Sequence, residues 1–270
     1  MNYGICNLSV VPCRKKPSDK SEMLTQILFG EHFEILYNQK SWCLVRLAYE
    51  NYECWIDNKQ FQPISKKTFN ELNKISIPCF TELVRFIVNN KDGSIMPIVM
   101  GSSLPYLKDN VCNIGGIEYS LHEKAGIGSN KKPKELIVEN SKKYLNMPYL
   151  WGGRSPFGID CSGLTQNVFK LSGIKLPRDA CQQAESGSTI NLLEESRECD
   201  LAFFVSMTKP GNSRQKNKKE KITHVGIILK DDQIIHASGK VRIDKIDHQG
   251  IYNVDRKEYS HRLRLLKRVV

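Results

Sequence analysis

Three side chains have the types and settings that nucleophilic hydrolysis needs. Cys161 follows a glycine-rich loop, Trp151-Gly-Gly-Arg-Ser-Pro-Phe-Gly158, and opens a predicted helix. A thiol at a helix start meets unsatisfied backbone N–H groups and the positive end of the helix dipole, which favour the thiolate. Asp160 stands where it would cap that helix. Ser162 and Gly163 leave room for a substrate backbone. A thiol nucleophile also needs a base. His224 lies in Ile222-Thr-His-Val-Gly-Ile227 and His236 in Ile234-Ile-His-Ala-Ser238. On two antiparallel strands joined by a short turn, both side chains fall on one face. His224 would then take the thiol proton, and His236 would orient and polarise it from its far nitrogen. A buried structural thiol and two satisfied core histidines are the plain alternatives for each residue taken alone. A metal held by the same three residues lacks a fourth ligand in the sequence, so no metal or other cofactor is expected.

Elements that would hold these residues are legible around them. Residues 134–145 read as a helix, with Leu136, Ile137, Asn140 and Tyr144 near one face. A second helix runs from 161 to 171, with Leu164, Val168 and Leu171 at helical spacing, and Ser172-Gly173 ends it. Strand-like segments follow at 201–205, 223–229 and 233–237, with Asp231-Asp232 as the turn between the last two. Helices first and strands after is an α+β order. Residues 1–63 read instead as short strands broken by turn signals, the pattern of a small β-barrel, and 65–74 as a polar helical connector. Residues 75–125 weakly repeat the first piece. Val11-Pro12-Cys13 recurs as Ile77-Pro78-Cys79, and Leu28-Phe29-Gly30 as Val99-Met100-Gly101. Two copies of one fold are expected there. The sequence therefore divides into 1–63, 64–125 and 126–270, the last opened by a linker at 126–133.

Composition bounds the function classes. The 270 residues are 40% hydrophobic and 26% charged, which excludes a disordered, collagen-like or coiled-coil chain. No apolar run approaches the ~20 residues of a membrane span. Net charge is +11, and two stretches supply most of it. Residues 207–221 carry six basic residues against Glu220, and residues 255–270 carry six against Asp255 and Glu258. These are solvated surfaces or sites for anionic ligands; no nucleic acid is expected as partner. The nine cysteines are odd in number and contain no C-x-x-C, so neither a disulfide framework nor a thiolate zinc site is expected. Residues 1–11 show no basic leader region, so the expectation is a cytoplasmic protein, with an exported form left open.

The ordered run Tyr149-Leu-Trp-Gly-Gly, Gly158-Ile-Asp-Cys-Ser-Gly, Leu176-Pro-Arg-Asp-Ala, Asp200-Leu-Ala-Phe-Phe, Thr223-His-Val-Gly-Ile and Ile235-His-Ala-Ser resembles the NlpC-type cell-wall cysteine peptidases, which are papain-like. The resemblance covers about 130–270. It implies Cys161 as nucleophile, His224 as base, His236 as third polar residue and Tyr149 bordering the site. Two SH3-like barrels ahead of such a domain resemble the γ-D-glutamyl-L-diamino-acid endopeptidase type. That implies murein peptides, L-Ala-γ-D-Glu-diamino acid, as substrate, with a free N-terminal amine. Arg178 would favour substrate carboxylates and Asp160 the amine, with Ser162 and Asp179 lining the site. Tyr52 and Glu22, from the first barrel, would close the groove at the free end. The sequence departs from the resemblance at Ala180, where relatives have Ser, and at Cys199, where many have Gly. The 207–221 stretch resembles an insertion. An N-acetylmuramoyl-L-alanine amidase and a non-catalytic wall-binding module are the competing readings.

Overall fold

In the computed structural model, the described residues are 2–121, 132–206 and 221–270. Of the basic stretch 207–221 only Lys221 falls among them, as do only residues 132 and 133 of the expected linker. The chain forms two compact units. One is Met1–Asn130 with Leu150–Ile159, and the other Lys131–Tyr149 with Asp160–Val270.

The first unit is built from strands. Alternation of apolar and polar residues makes β1 (Tyr3–Ile5), β2 (Val10–Arg14), β3 (Met23–Leu28), β4 (His32–Gln39), β5 (Trp42–Leu47), β6 (Glu53–Asp57) and β7 (Gln62–Pro63), ordered β3-β2-β6-β5-β4-β1-β7 in one sheet. In β5, residues 43, 45 and 47 are buried and those between face outward. This inner face joins Cys6, Val11, Cys13, Ile27 and Phe33 in one core, with Tyr52 and Phe61 packed on it. Helix α1 (Lys66–Leu72) starts at Ser65, whose hydroxyl accepts from the Thr68 amide. Four strands follow, β8 (Val84–Asn89), β9 (Ile95–Val99), β10 (Val111–Ile114) and β11 (Ile117–Leu121), ordered β10-β11-β8-β9. Their core takes in Ile5 and Phe29 from the earlier strands. The repeated Leu-Phe-Gly and Val-Met-Gly segments play matching parts. Gly30 and Gly101 both have positive φ, 76° and 92°. The Gly30 amide donates to the Cys6 carbonyl at 2.8 Å and the Gly101 amide to the Phe80 carbonyl at 2.9 Å. A β-carbon on Gly30 would lie 2.0 Å from the Ser103 carbonyl oxygen.

Residues 150–159 complete this unit as a short hairpin, in which β12 (Arg154–Ser155) pairs with β13 (Gly158–Ile159). Arg154 anchors it. The side chain is fully buried and donates to both Glu31 oxygens, at 3.0 and 2.9 Å, and to the Gln26 carbonyl at 2.8 Å. Its backbone amide donates to the Gln26 side chain at 2.7 Å.

The second unit has its helices first and its sheet after, which makes the chain α+β. Helix α2 (Pro133–Lys143) begins on a proline, whose missing N–H is no loss at a helix start. Helix α3 (Cys161–Leu171) lies against α2 and against β16 and β17. Short α4 (Ala180–Gln183) follows. The sheet runs β14-β20-β15-β16-β17-β18-β19. Its strands are β14 (Ser188–Ile190), β15 (Leu201–Ser206), β16 (His224–Ile228), β17 (Gln233–Ser238), β18 (Lys240–Ile246), β19 (Gly250–Asn253) and β20 (Glu258–Arg268). β19 also pairs with β20, which closes six strands on themselves. Asp231 and Asp232, at φ 59° and 52°, lie in the four-residue connection between β16 and β17, in the left-handed backbone that tight turns use. Cys199 likewise has φ 77°, a conformation suited to glycine. Among the described residues no helix is long and apolar enough to cross a membrane.

Candidate active site

Cys161 is the first residue of α3, and Asp160 caps that helix by accepting from the Gly163 amide at 2.7 Å. Asp160 does more than cap. Arg178, 1% exposed, donates to both its oxygens at 3.0 and 2.6 Å and to the Ser162 hydroxyl at 2.8 Å. Gln183 holds the same turn from the other side. Its amide nitrogen donates to the Ser162 carbonyl at 3.0 Å, and its oxygen accepts from Thr165 at 2.7 Å. So Arg178 is a buried brace for the head of α3 and presents no open guanidinium at a surface. Asp179 begins α4 and pairs its amide with the Gln182 side chain at 3.2 Å. Ala180, the first residue of that helix, is buried.

The Cys161 thiol differs from its sequence-based expectation. Burial and the Asp160 charge push it up to about 12, against the opposing pull of the Val225 amide, Arg178 and the Ser162 amide. The dipole of α3 is therefore outweighed, and the resting group is a thiol. Tyr149 lies close enough for the Cys161 and Asp160 charges to act on its hydroxyl, which burial first of all raises. The Tyr149 amide donates to the Gly239 carbonyl at 3.0 Å.

The Val225 amide that meets the thiol belongs to β16, one residue after His224. In the β16–β17 register Gly226 faces His236, so His224 and His236 are diagonal neighbours on one face. Gly226 makes room, because a β-carbon there would lie 3.0 Å from that of His236. His224 Nε2 and His236 Nδ1 are 2.8 Å apart, and His236 Nε2 is 3.0 Å from Asp244 Oδ2. Asp244, on β18, was not singled out from the sequence. Burial raises its carboxyl, but bonds from His236, Arg242 and the Val254 amide outweigh that and hold it far below the usual carboxylate range. Arg242 contributes two of them, at 2.6 and 2.8 Å.

An ionised Asp244 accepts only, so His236 Nε2 carries the proton and its Nδ1 accepts from His224 Nε2–H. The chain of bonds thus leaves the lone pair of His224 on Nδ1. Both histidines are buried, and burial lowers the proton affinity of each. A third histidine completes the group. His261 of β20 stacks on His224 with ring centres 4.0 Å apart and planes at 21°. Nitrogens of the three rings lie within 4.8 Å of one another. Both nitrogens of His236 are engaged, one with His224 and one with Asp244, so this ring has no lone pair left to give an ion.

Glu22 and Tyr52 lie in the first unit. Glu22 accepts from Lys15 at 2.9 Å and from the Trp151 indole at 3.1 Å, and these bonds lower its carboxyl pKa. Tyr52 is half-buried against the core of the first sheet.

The NlpC/P60 family profile matches residues 146–258, and that of the bacterial dipeptidyl-peptidase Sh3 domain matches 13–61. A γ-D-glutamyl-L-lysine dipeptidyl-peptidase of Bacillus subtilis is 27% identical over 226 residues, 79% of this chain and 71% of the relative. A probable endopeptidase of Haemophilus influenzae is 31% identical over 122 residues, 45% of this chain and 69% of the relative. The crystal structure of an NlpC/P60 family protein from Bacillus cereus superposes over 99% of both chains with a TM-score of 0.80 at 18% identity, a likeness of fold that includes the SH3-like strands. On these likenesses the chain belongs to the NlpC/P60 family and is a hydrolase, a cysteine peptidase.

Proposed function

We propose that the protein hydrolyses the γ-D-Glu–diamino-acid amide of murein stem peptides that begin with a free L-Ala. The observation that carries the chemistry is the His224–His236–Asp244 chain of hydrogen bonds, which leaves His224 with an open Nδ1 beside the strand amide that meets Cys161. The substrate class rests on the paired NlpC/P60 and dipeptidyl-peptidase Sh3 matches, and on a relative named for cleaving at γ-D-glutamyl-L-lysine.

In this reading His224 Nδ1 takes the Cys161 proton as the sulfur attacks the γ-carbonyl carbon. Backbone N–H groups at the head of α3, with Tyr149, receive the developing oxyanion. Collapse breaks the C–N bond, and His224 returns its proton to the leaving amine. Water, deprotonated by His224, then cleaves the thioester and frees L-Ala-γ-D-Glu. His236 and Asp244 hold the base in the tautomer this requires, while Asp160, Ser162 and Arg178 hold the nucleophile's helix. Reading of the free amine is given to Glu22, kept ionised by Lys15 and Trp151, and to Tyr52. Nine free cysteines support a reducing compartment.

Mass analysis of digests tests the proposal. Free L-Ala-γ-D-Glu-diaminopimelate, and its lysine counterpart, should be cut after D-Glu, and N-acetylation should slow the reaction sharply. Glu22→Gln should lower kcat/KM on the free peptide by roughly 5–150-fold and on the acetylated one far less. Release of the whole peptide from muramic acid would show an amidase instead.

A further inference from the structure

The base has a neighbour that the reaction scheme above leaves idle. His261 covers one face of His224 with nearly parallel planes, while His236 meets both rings edge-on, at 87° and 83°. Phe204 packs close to both, with ring centres 5.9 and 6.2 Å away. The backbone of His261 is fixed on either side, opposite Ile251 of β19 and Ser206 of β15. Gly250 is pressed against its carbonyl so closely that a β-carbon there would lie 1.8 Å from the oxygen. The ring is steadied by its Nδ1, 2.9 Å from the Ser260 hydroxyl. The family match ends at residue 258, three residues before His261.

We infer that His261 is a positioning residue for the base: its ring holds the plane of His224 in line with His236 and keeps water from that face. This rests on His224 being the base. Two physical effects follow from a flat, neutral ring at stacking distance. The tilt of the His224 ring is restricted, so its Nδ1 stays aimed in one direction while the Nε2–H stays on His236. The covered face also loses hydration that would stabilise the imidazolium, so the base stays neutral to lower pH. The titratable groups facing His224 are His236 from β17 and His261 from β20, with Cys161 of α3 at the adjoining Val225 amide. The Asp244–Arg242 pair of β18 lies behind His236. His261 itself is held down to about 4, by burial and then by His236, so it is uncharged where the others act.

The test uses the full chain with ¹⁵N-labelled histidine. In a Cys161→Ala background, the His224 ring should titrate about half to one pH unit higher when His261→Ala is added. With Cys161 present, the acid limb of kcat/KM should move up by the same amount. There kcat should fall about tenfold while KM stays within about twofold. His261→Phe, which restores a flat ring, should recover most of kcat. If His261→Ala does not fold, His261→Gln takes its place, filling volume without a ring. An unmoved His224 titration in a folded variant overturns the inference, and so does a His261→Phe enzyme no faster than His261→Ala. A His224→Ala protein that keeps its activity instead overturns the assignment of the base, whatever the titration shows.

Discussion

The proton on each nitrogen decides what the site can do. Asp244, because it is ionised, dictates the tautomer of His236, which dictates that of His224. His224→Ala is expected to lower kcat by orders of magnitude, and His236→Ala by less, because water can take up part of an orienting role. Asp244→Asn keeps the shape but sets an amide N–H against the donors of Arg242 and Val254. Its kcat should drop at least about tenfold with the thiol intact, read by steady-state rates beside titration of free thiol. Iodoacetamide should inactivate the enzyme by alkylating Cys161. Cys181, only partly buried, should label without loss of activity, which mass mapping distinguishes. The same histidines bear on stability. Their protonation is disfavoured in the fold relative to an unfolded histidine near 6.5. Their contribution is therefore complete above that pH and is lost as pH falls, for His261 down to about 4. Urea unfolding at pH 7 and pH 5 should show the wild type losing more stability than His261→Phe. Cys161, His224 and His236 were legible because a glycine-rich loop before a helix and histidines in apolar strands stand out locally. Asp244 and His261 were not, since a residue's role there depends on which strand it faces.

At the level of elements, local chemistry made some boundaries plain. Helix α3 spans the residues that its apolar spacing predicts, and Asp231-Asp232 is the turn between the strands expected on either side. The strands β18 and β20 escaped. In Lys240–Ile246 the alternation is real, but Arg242 and Asp244 turn their charges inward to the histidines, so the pattern reads as mixed. In β20 the basic run reads as a solvated terminal strand, yet Leu266 is core and His261 reaches the site. Gly250 lets β19 lie against the His261 carbonyl of β20. With φ at 140° and no space for a β-carbon, Gly250→Ala should cost about 3 kcal/mol or more of stability and should reduce kcat as well. Chemical denaturation and steady-state rates on the same sample check both.

For the whole molecule, the informative fact is the path of the chain. It leaves the second unit after Tyr149 and returns at Asp160, and the residues between fold with the first unit around Arg154. A border drawn along the sequence cannot reveal this, because the partners of Arg154 are 123 and 128 residues away. Removing one partner of a buried ion pair costs about 3–5 kcal/mol. Glu31→Ala should therefore lower the melting temperature by many degrees, read by calorimetry. A fragment beginning at residue 126 should be markedly less stable than the full chain, by the same measurement.

That detour also sets a clock. On the ribosome Glu31 and Gln26 emerge long before Arg154, and at ~5–20 residues per second the gap of 123 residues lasts roughly 6–25 s. Through that interval the nascent N-terminal half holds an acid whose arginine has not yet been made. Its final closure must wait for the loop that precedes the nucleophile, and the histidines that serve that nucleophile, His224 and His236, are made later still.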